Sequence, residues 1–402
     1  MSFVVPTAPG RAAALVVLAG VVAALQVGKL PPALPALQAD LGISLVQSGF
    51  LLSMVQLAGM LLAILVGLAA DGAGLKRSMV AGLSLLALAS ALGGAASSPW
   101  MLLSLRAVEG LGFLLTALPA PALIRRLVRP AQLPGMLGVW STYMPLGTSL
   151  ALLAGPFVIP TWGWPLWWEL FAVVSAAMAW AVHRVIPADP PVERGPTGSS
   201  LLQRLGDTLG HRGPWLVALM FCVYSAQWLA VVGFLPSIYT EAGVAGALLG
   251  VLTAGAAGVN MLGNLASGRL LQRGWAPTQL LLTGFGCMAL GSALAFGSAT
   301  EGHPWWRYAG VLLFSSVGGL VPGTLFSLAV RLAPGERQVA TTVGWAQQLS
   351  ALGQFFGPPL LAWVAARSGG WQFTPWVTGA CCLAGATLAW WTGRELQRHR
   401  GR

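Results

Sequence analysis

Apolar residues in this chain run on for twenty positions or more, then stop at short polar turns. They show neither the period of two of a half-buried strand nor the single stripe of a surface helix. A helix needs about 20 such residues to cross roughly 30 Å of hydrocarbon. Twelve runs meet that length: 12–34, 45–70, 78–97, 100–123, 134–158, 165–186, 214–236, 246–270, 277–299, 305–330, 339–366 and 372–392. They predict an all-α integral membrane protein of twelve transmembrane helices. The longest connection, 187–213, opens on Pro187, Pro190 and Pro191 and divides the runs six and six. The expected organisation is a bundle over 1–186, a linker over 187–213 and a second bundle over 214–402. Within the linker, the spacing of Leu201, Leu202, Leu205 and Leu209 predicts a short amphipathic helix lying at the membrane surface.

One polar turn is distinctive. Between the second and third runs lies a glycine-rich charged stretch from Gly67 to Arg77, with Asp71, Gly74 and Lys76 inside it. A blurred copy, Gly263 to Arg269, lies 196 residues further on and carries Ser267 where the carboxylate would be. A charged turn repeated half a chain apart points to two related, pseudo-symmetric bundles. That architecture belongs chiefly to secondary transporters.

Composition agrees with the pattern. Charged residues are 8% of 402 and apolar ones 56%, where a soluble domain carries roughly 25% charged residues. The net charge of +11 raises nucleic acid as a partner, but no basic stripe with interleaved aromatics exists, so no nucleic-acid partner is expected. Eighteen of the Lys and Arg residues fall in loops on one side of the predicted helices, against Arg307 and Arg367 on the other. This asymmetry places both termini in the cytoplasm. Trp100, Trp162, Trp164, Trp305, Trp306 and Trp371 sit at the opposite ends, as interfacial anchors do. The four cysteines lie inside apolar runs without metal-ligand spacing and read as small hydrophobes. The first run is too long for a signal-peptide core and reads as a retained span.

These residues resemble a known family, the major facilitator superfamily. The stretch Gly67 to Arg77 matches its loop motif G-x-x-x-D-x-x-G-x-K-R. The resemblance implies that Gly67 permits close helix contact and that Asp71 pairs with a helix end and a basic side chain. Gly67, Asp71, Lys76, Arg77 and Arg126 would then form the cytoplasmic gate. In the fourth run, Arg106, Glu109, Gly110 and Gly112 resemble the family's motif in that helix. Ala151-x-x-x-Gly155-Pro156 only partly matches the antiporter motif of the fifth. Residues 25–32 and 140–147 are similar to bacterial permeases of the cyanate and nitroimidazole group. That likeness implies a multi-pass protein of the bacterial cytoplasmic membrane.

The candidate site follows from buried charge. Lys29 and Arg106 each lie five or six residues from the same end of their helices, roughly 8–9 Å deep. Such cations are costly in hydrocarbon unless paired or wet. Glu109, three residues from Arg106, shares its face and can neutralise it. Either a structural ion pair or a substrate and proton site fits these residues, and Lys29 could instead snorkel to the interface. Gln26 lies one turn from Lys29. Neutral candidates are Trp140 and Tyr143 in the fifth run, Tyr224, Gln227 and Trp228 in the seventh, Asn260 in the eighth, and Gln347 and Gln354 in the eleventh.

The expected function is alternating-access transport of a small, anionic solute by a monomer, with Glu109 as the proton-coupling group. A proton-coupled drug or metabolite exporter and a non-transporting sensor are the alternatives. No cofactor is expected and no enzyme: the histidines have no nucleophile or metal partner at useful spacing, and no phosphate-binding glycine loop occurs.

Overall fold

A computed structural model describes residues 9–189, 201–335 and 338–400, leaving aside the side chains of 9, 66–73, 131, 134, 201–204, 340 and 398–400. The described secondary structure is helical throughout. Among the described residues, ten segments are long and apolar enough to cross a membrane. The one from Gly135–Val185 holds 51 residues and turns at Gly163, whose φ of 79° is open to glycine without strain. That corner divides it into the expected fifth and sixth helices, 135–162 and 164–185. The helix Thr374–Arg400 occupies the twelfth position.

Numbered in chain order, spans 1 to 4 are Gly10–Leu41, Leu45–Leu65, Leu75–Gly94 and Pro99–Leu127. Spans 5 and 6 flank Gly163. Spans 7 to 11 are Arg212–Glu241, Gly246–Gln272, Pro277–Phe296, Pro304–Arg331 and Thr341–Ser368, and span 12 is Thr374–Arg400. The linker helix is Leu201–Leu209.

Lipid tails are as apolar as leucine, so helices in a bilayer are held by close approach and polar contacts rather than by burial of apolar area. Small residues are placed accordingly. Gly147 of span 5 lies on Ala24 and the Val21 carbonyl of span 1, Gly28 of span 1 on Thr148, and Gly155 on Pro32. In the second half, span 11 meets span 7 in the same manner, with Gly353 on the Cys222 carbonyl and Gly357 on that of Ala226. These glycines belong to Gly353-x-x-x-Gly357-Pro358, an intact form of the sequence that is degraded to Ala151-x-x-x-Gly155-Pro156 in span 5. Sequence reading missed this copy, although the same spacing was visible 202 residues on.

The halves also touch each other. Ser149 Oγ of span 5 donates to the Ala254 carbonyl of span 8 at 2.8 Å, and Gly250 packs on the Leu153 carbonyl. Gly49 of span 2 lies on Pro358 and Pro359 of span 11, and Leu52 covers Gly233 of span 7. Further along, the Ile64 amide donates to Gln348 Oε1 at 3.2 Å. A hydrophobic cluster joins Leu30, Leu34, Leu52 and Trp167 to Ala230, Phe234 and Leu361. It closes the interface at the end bearing Trp164.

A side chain at Gly353 or Gly357 has no room against carbonyl carbons, which cannot move aside. Gly353→Val or Gly357→Val is expected to cost about 1–3 kcal/mol. Thermal unfolding of the detergent-purified protein checks this, with a lowered midpoint expected. The exposed Gly286→Val, whose Cβ meets nothing nearby, serves as the control and is expected to leave the midpoint in place.

Candidate functional site

The strongest chemistry begins at a break in span 1. Helix Pro9–Gly28 ends and Leu30–Leu41 begins around Lys29, because Pro31 and Pro32 have no N–H to donate back along the helix. The amides missing at Pro31 and Pro32 would have met the Val27 and Gly28 carbonyls, and one residue before these the Gln26 carbonyl accepts from Arg106 Nη1 of span 4 at 2.8 Å. The Lys29 carbonyl likewise accepts Trp167 Nε1 at 2.8 Å.

Three charges meet beside this break. Lys29 Nζ lies 2.6 Å from Glu109 Oε1, and Arg106 Nη1 lies 2.5 Å from Glu109 Oε2. Lys29, Arg106 and Glu109 are all 0% exposed. Lys29 spends its remaining protons on Gln26 Oε1 at 2.6 Å and Ser90 Oγ at 2.7 Å. Its ammonium stands 4.8 Å from the centre of the Trp168 ring. Gln26 Nε2 donates on to Ser175 Oγ at 2.8 Å and the Phe171 carbonyl at 3.2 Å. Lys29 therefore reaches inward to spans 3, 4 and 6 and does not snorkel to the interface.

Arg106 is satisfied less completely. Its Nε makes a long 3.4 Å contact to the Leu51 carbonyl of span 2, and its Nη2 finds no acceptor among the described residues. Two enclosed cations thus share one enclosed carboxylate. Glu169 of span 6, half-buried near Gly94, adds a more distant negative charge.

The neutral candidates fall into separate groups. Asn260 Nδ2 donates to Tyr224 Oη at 3.0 Å and to the Ser315 carbonyl at 2.8 Å. Trp228 Nε1 donates to Ser315 Oγ at 3.3 Å, so spans 7, 8 and 10 join at one polar knot. Gln227 turns away from it, accepting from Cys382 Sγ of span 12 at 3.2 Å. Gln354 Nε2 donates to Ser350 Oγ at 3.3 Å, and Ser350 in turn bonds Ser225 of span 7. Gln347 is half-buried on span 11. Trp140 and Tyr143 stack with centroids 4.3 Å apart, and the Trp140 ring lies on Gly20 of span 1.

The expected gate loop lies at the other end. The side chains of Gly67 and Asp71 fall outside the described residues. The start of span 3 is held by Asp189, four residues past span 6. Its carboxylate accepts from the backbone amides of Lys76 at 3.0 Å and Arg77 at 3.1 Å and from Arg126 Nη1 at 3.0 Å. Lys76 Nζ donates to the Ile186 carbonyl at 2.6 Å, and Arg126 Nη2 to that of Pro187 at 3.2 Å. Two orphan amides of a helix start and a guanidinium make a strong anion site. Sequence reading gave 187–213 no chemistry. The available signal was a carboxylate just past a span at an otherwise basic end.

Twelve apolar helices with an enclosed ion group and a charged loop after the second define a membrane transport protein. A family model described as Major Facilitator Superfamily matches residues 16–358, and the chain belongs to that family. A curated relative, puromycin resistance protein pur8 of Streptomyces alboniger, is 32% identical over 197 residues. The match covers 48% of this chain and only 38% of the relative's length. Among solved structures, a bacterial homologue of the human lysosomal transporter Spinster, inward-facing and occupied, aligns with a TM-score of 0.77 at 15% identity. That alignment covers 96% of this chain and 97% of the other. The inward-facing, unoccupied form gives 0.69 at 16% identity, over 97% and 98% of the two chains. These likenesses carry the fold.

Two outcomes test the geometry. Glu109→Gln leaves Lys29 and Arg106 facing each other without a counter-ion, whereas Lys29→Met leaves Arg106 and Glu109 as a matched pair. Breaking a buried pair costs about 3–5 kcal/mol, so Glu109→Gln is expected to lower the unfolding midpoint well below that of Lys29→Met. The second outcome concerns Asp189. Partial burial resists its ionisation, but the Lys76 and Arg77 amides and Arg126 outweigh this and hold its carboxyl below the usual carboxylate range. A depressed carboxyl contributes stability that is complete above its unfolded value, about 3.9, and is lost as pH falls through the folded value. Asp189→Asn is expected to unfold at lower temperature at pH 7 and to approach wild type as the medium is acidified.

Proposed function

We propose that this chain is a secondary active transporter that works by alternating access and moves a small anion together with a proton. The two halves, 1–186 and 214–402, would rock as units about the contacts of spans 1, 2 and 5 with spans 7, 11 and 8. The observation that carries the anion reading is the surplus of enclosed positive charge, with Arg106 Nη2 still lacking an acceptor. An anionic oxygen arriving there would supply the missing counter-charge. Glu109, no longer needed by both cations, would then be free to take up a proton. Anion and proton would move together as a neutral load, which lowers the cost of crossing a low-dielectric interior.

Arg106 is placed for this role. Its Nε faces the Leu51 carbonyl, and the neighbouring Leu52 covers Gly233 of span 7. Separation of the halves would lift Leu52 off Gly233 and open a way to Nη2. Trp140, Tyr143, Tyr224, Gln227, Trp228, Asn260, Gln347 and Gln354 would shape the remaining wall. Lys76, Arg77, Arg126 and Asp189 would brace the opposite end, with Gly67 and Asp71 as further members of that gate. The basic loops support a cytoplasmic position for that end and both termini, in a bacterial inner membrane. The transporter is proposed to act as a monomer.

A second reading, proton-coupled drug export, is favoured by the partial match to a puromycin resistance protein. It is also favoured by the intact Gly353-x-x-x-Gly357-Pro358 of span 11. Purified protein in liposomes, given an inwardly directed proton gradient and a panel of small carboxylates and oxyanions, separates the two. The anion reading expects accumulation of one of these, abolished in Arg106→Ala. Gradient-driven extrusion of puromycin that persists in Arg106→Ala, with no anion accumulated, would overturn it in favour of export.

A further inference from the structure

A cavity of about 770 Å³ lies at the basic end, away from the ion group and from the contacts between the halves. Its walls come from the end of the linker helix, the start of span 7 and the end of span 12. Leu219, Leu388 and the two indoles of Trp215 and Trp391 make most of the lining apolar, and Arg212 and Arg394 stand at its polar rim. With Glu395 also in the wall, the rim carries a surplus of one positive charge when His211 is neutral.

The architecture around it is firm. Trp215 Nε1 donates to the Leu209 carbonyl at 2.9 Å, fixing the linker helix to span 7. The same indole meets Trp345 of span 11 edge-on at 4.9 Å. Arg394 lies over the Trp390 ring at 3.6 Å and is exposed at the cavity. Trp391 and Leu219 are exposed, so the apolar wall is open on the outside of the helix bundle, where surrounding lipid would lie.

We infer that this cavity binds one anionic phospholipid drawn from the surrounding leaflet. Its phosphodiester sits between Arg212 and Arg394, and an acyl chain runs along Leu219 and Leu388. Charge complementarity selects the headgroup, since an anionic leaflet attracts clustered basic residues near a span end. The sequence adds Arg398 and Arg400 at the end of span 12 and Arg402 after it. The apolar wall selects a lipid over a soluble phosphate, because only an acyl chain fills it. Bound there, the lipid would bind the linker helix to the second half and stiffen the hinge between halves.

The test uses the full-length protein in a neutral detergent, with its unfolding midpoint measured against added lipid. A ligand that binds only the folded form raises that midpoint with concentration. Phosphatidylglycerol is expected to raise it by several degrees, with phosphatidylcholine and glycerol 3-phosphate giving little. The shift is expected to vanish in R212A/R394A, which removes the rim charges. It is also expected to vanish in Leu219→Trp, which fills the cavity and keeps both charges. Equal shifts from phosphatidylglycerol and phosphatidylcholine would overturn the inference, as would a full shift from glycerol 3-phosphate. So would a phosphatidylglycerol shift that survives in both variants.

Discussion

Glu109 between Lys29 and Arg106 is the interaction on which the first six spans depend. A lone ion in hydrocarbon costs several kcal/mol, and here three ions are enclosed together. Their neighbours are arranged to make that tolerable. The helix breaks at Lys29, and backbone carbonyls on either side of the proline-freed turn accept from Arg106 and Trp167. Ser90, Gln26, Ser175 and the face of Trp168 supply the rest. Spans 1, 3, 4 and 6 are thereby tied to one point, and moving any of them disturbs the charge balance.

Among the described residues, the second half shows no enclosed ion group of that kind. Its spans meet through neutral hydrogen bonds, among them the Asn260 knot and the Ser225–Ser350 pair, and through Gly353 and Gly357 against span 7. Span 5 against span 1 and span 11 against span 7 are the same packing solution used twice. The halves thus share their helix-packing scheme and differ in where charge is stored. In the proposed cycle, the first half would respond to protons and anions while the second would serve as a neutral wall.

Much of this was legible in the residues. Span number and length follow from apolar runs, and the corner at Gly163 falls between two predicted helices because a turn there needs a positive φ. The Arg106–Glu109 pair follows from helical spacing alone. Three features were not legible. The partners of Lys29 on other spans, Ser90 and Trp168, are far away in sequence and unremarkable in type. The face of Gln227 depends on Cys382 rather than on its own helix. Asp189 takes its role from a fold that returns span 6 to the start of span 3, and no local pattern encodes that return.

The central claim is that Glu109 couples ion movement to transport and is more than a structural counter-ion. Purified protein in liposomes allows two modes to be compared: exchange of labelled for unlabelled substrate without a gradient, and uphill accumulation driven by a proton gradient. If Glu109 carries the proton, a folded Glu109→Gln variant retains exchange and loses gradient-driven accumulation. Retention of both modes, with the pH dependence of wild type, would contradict the account.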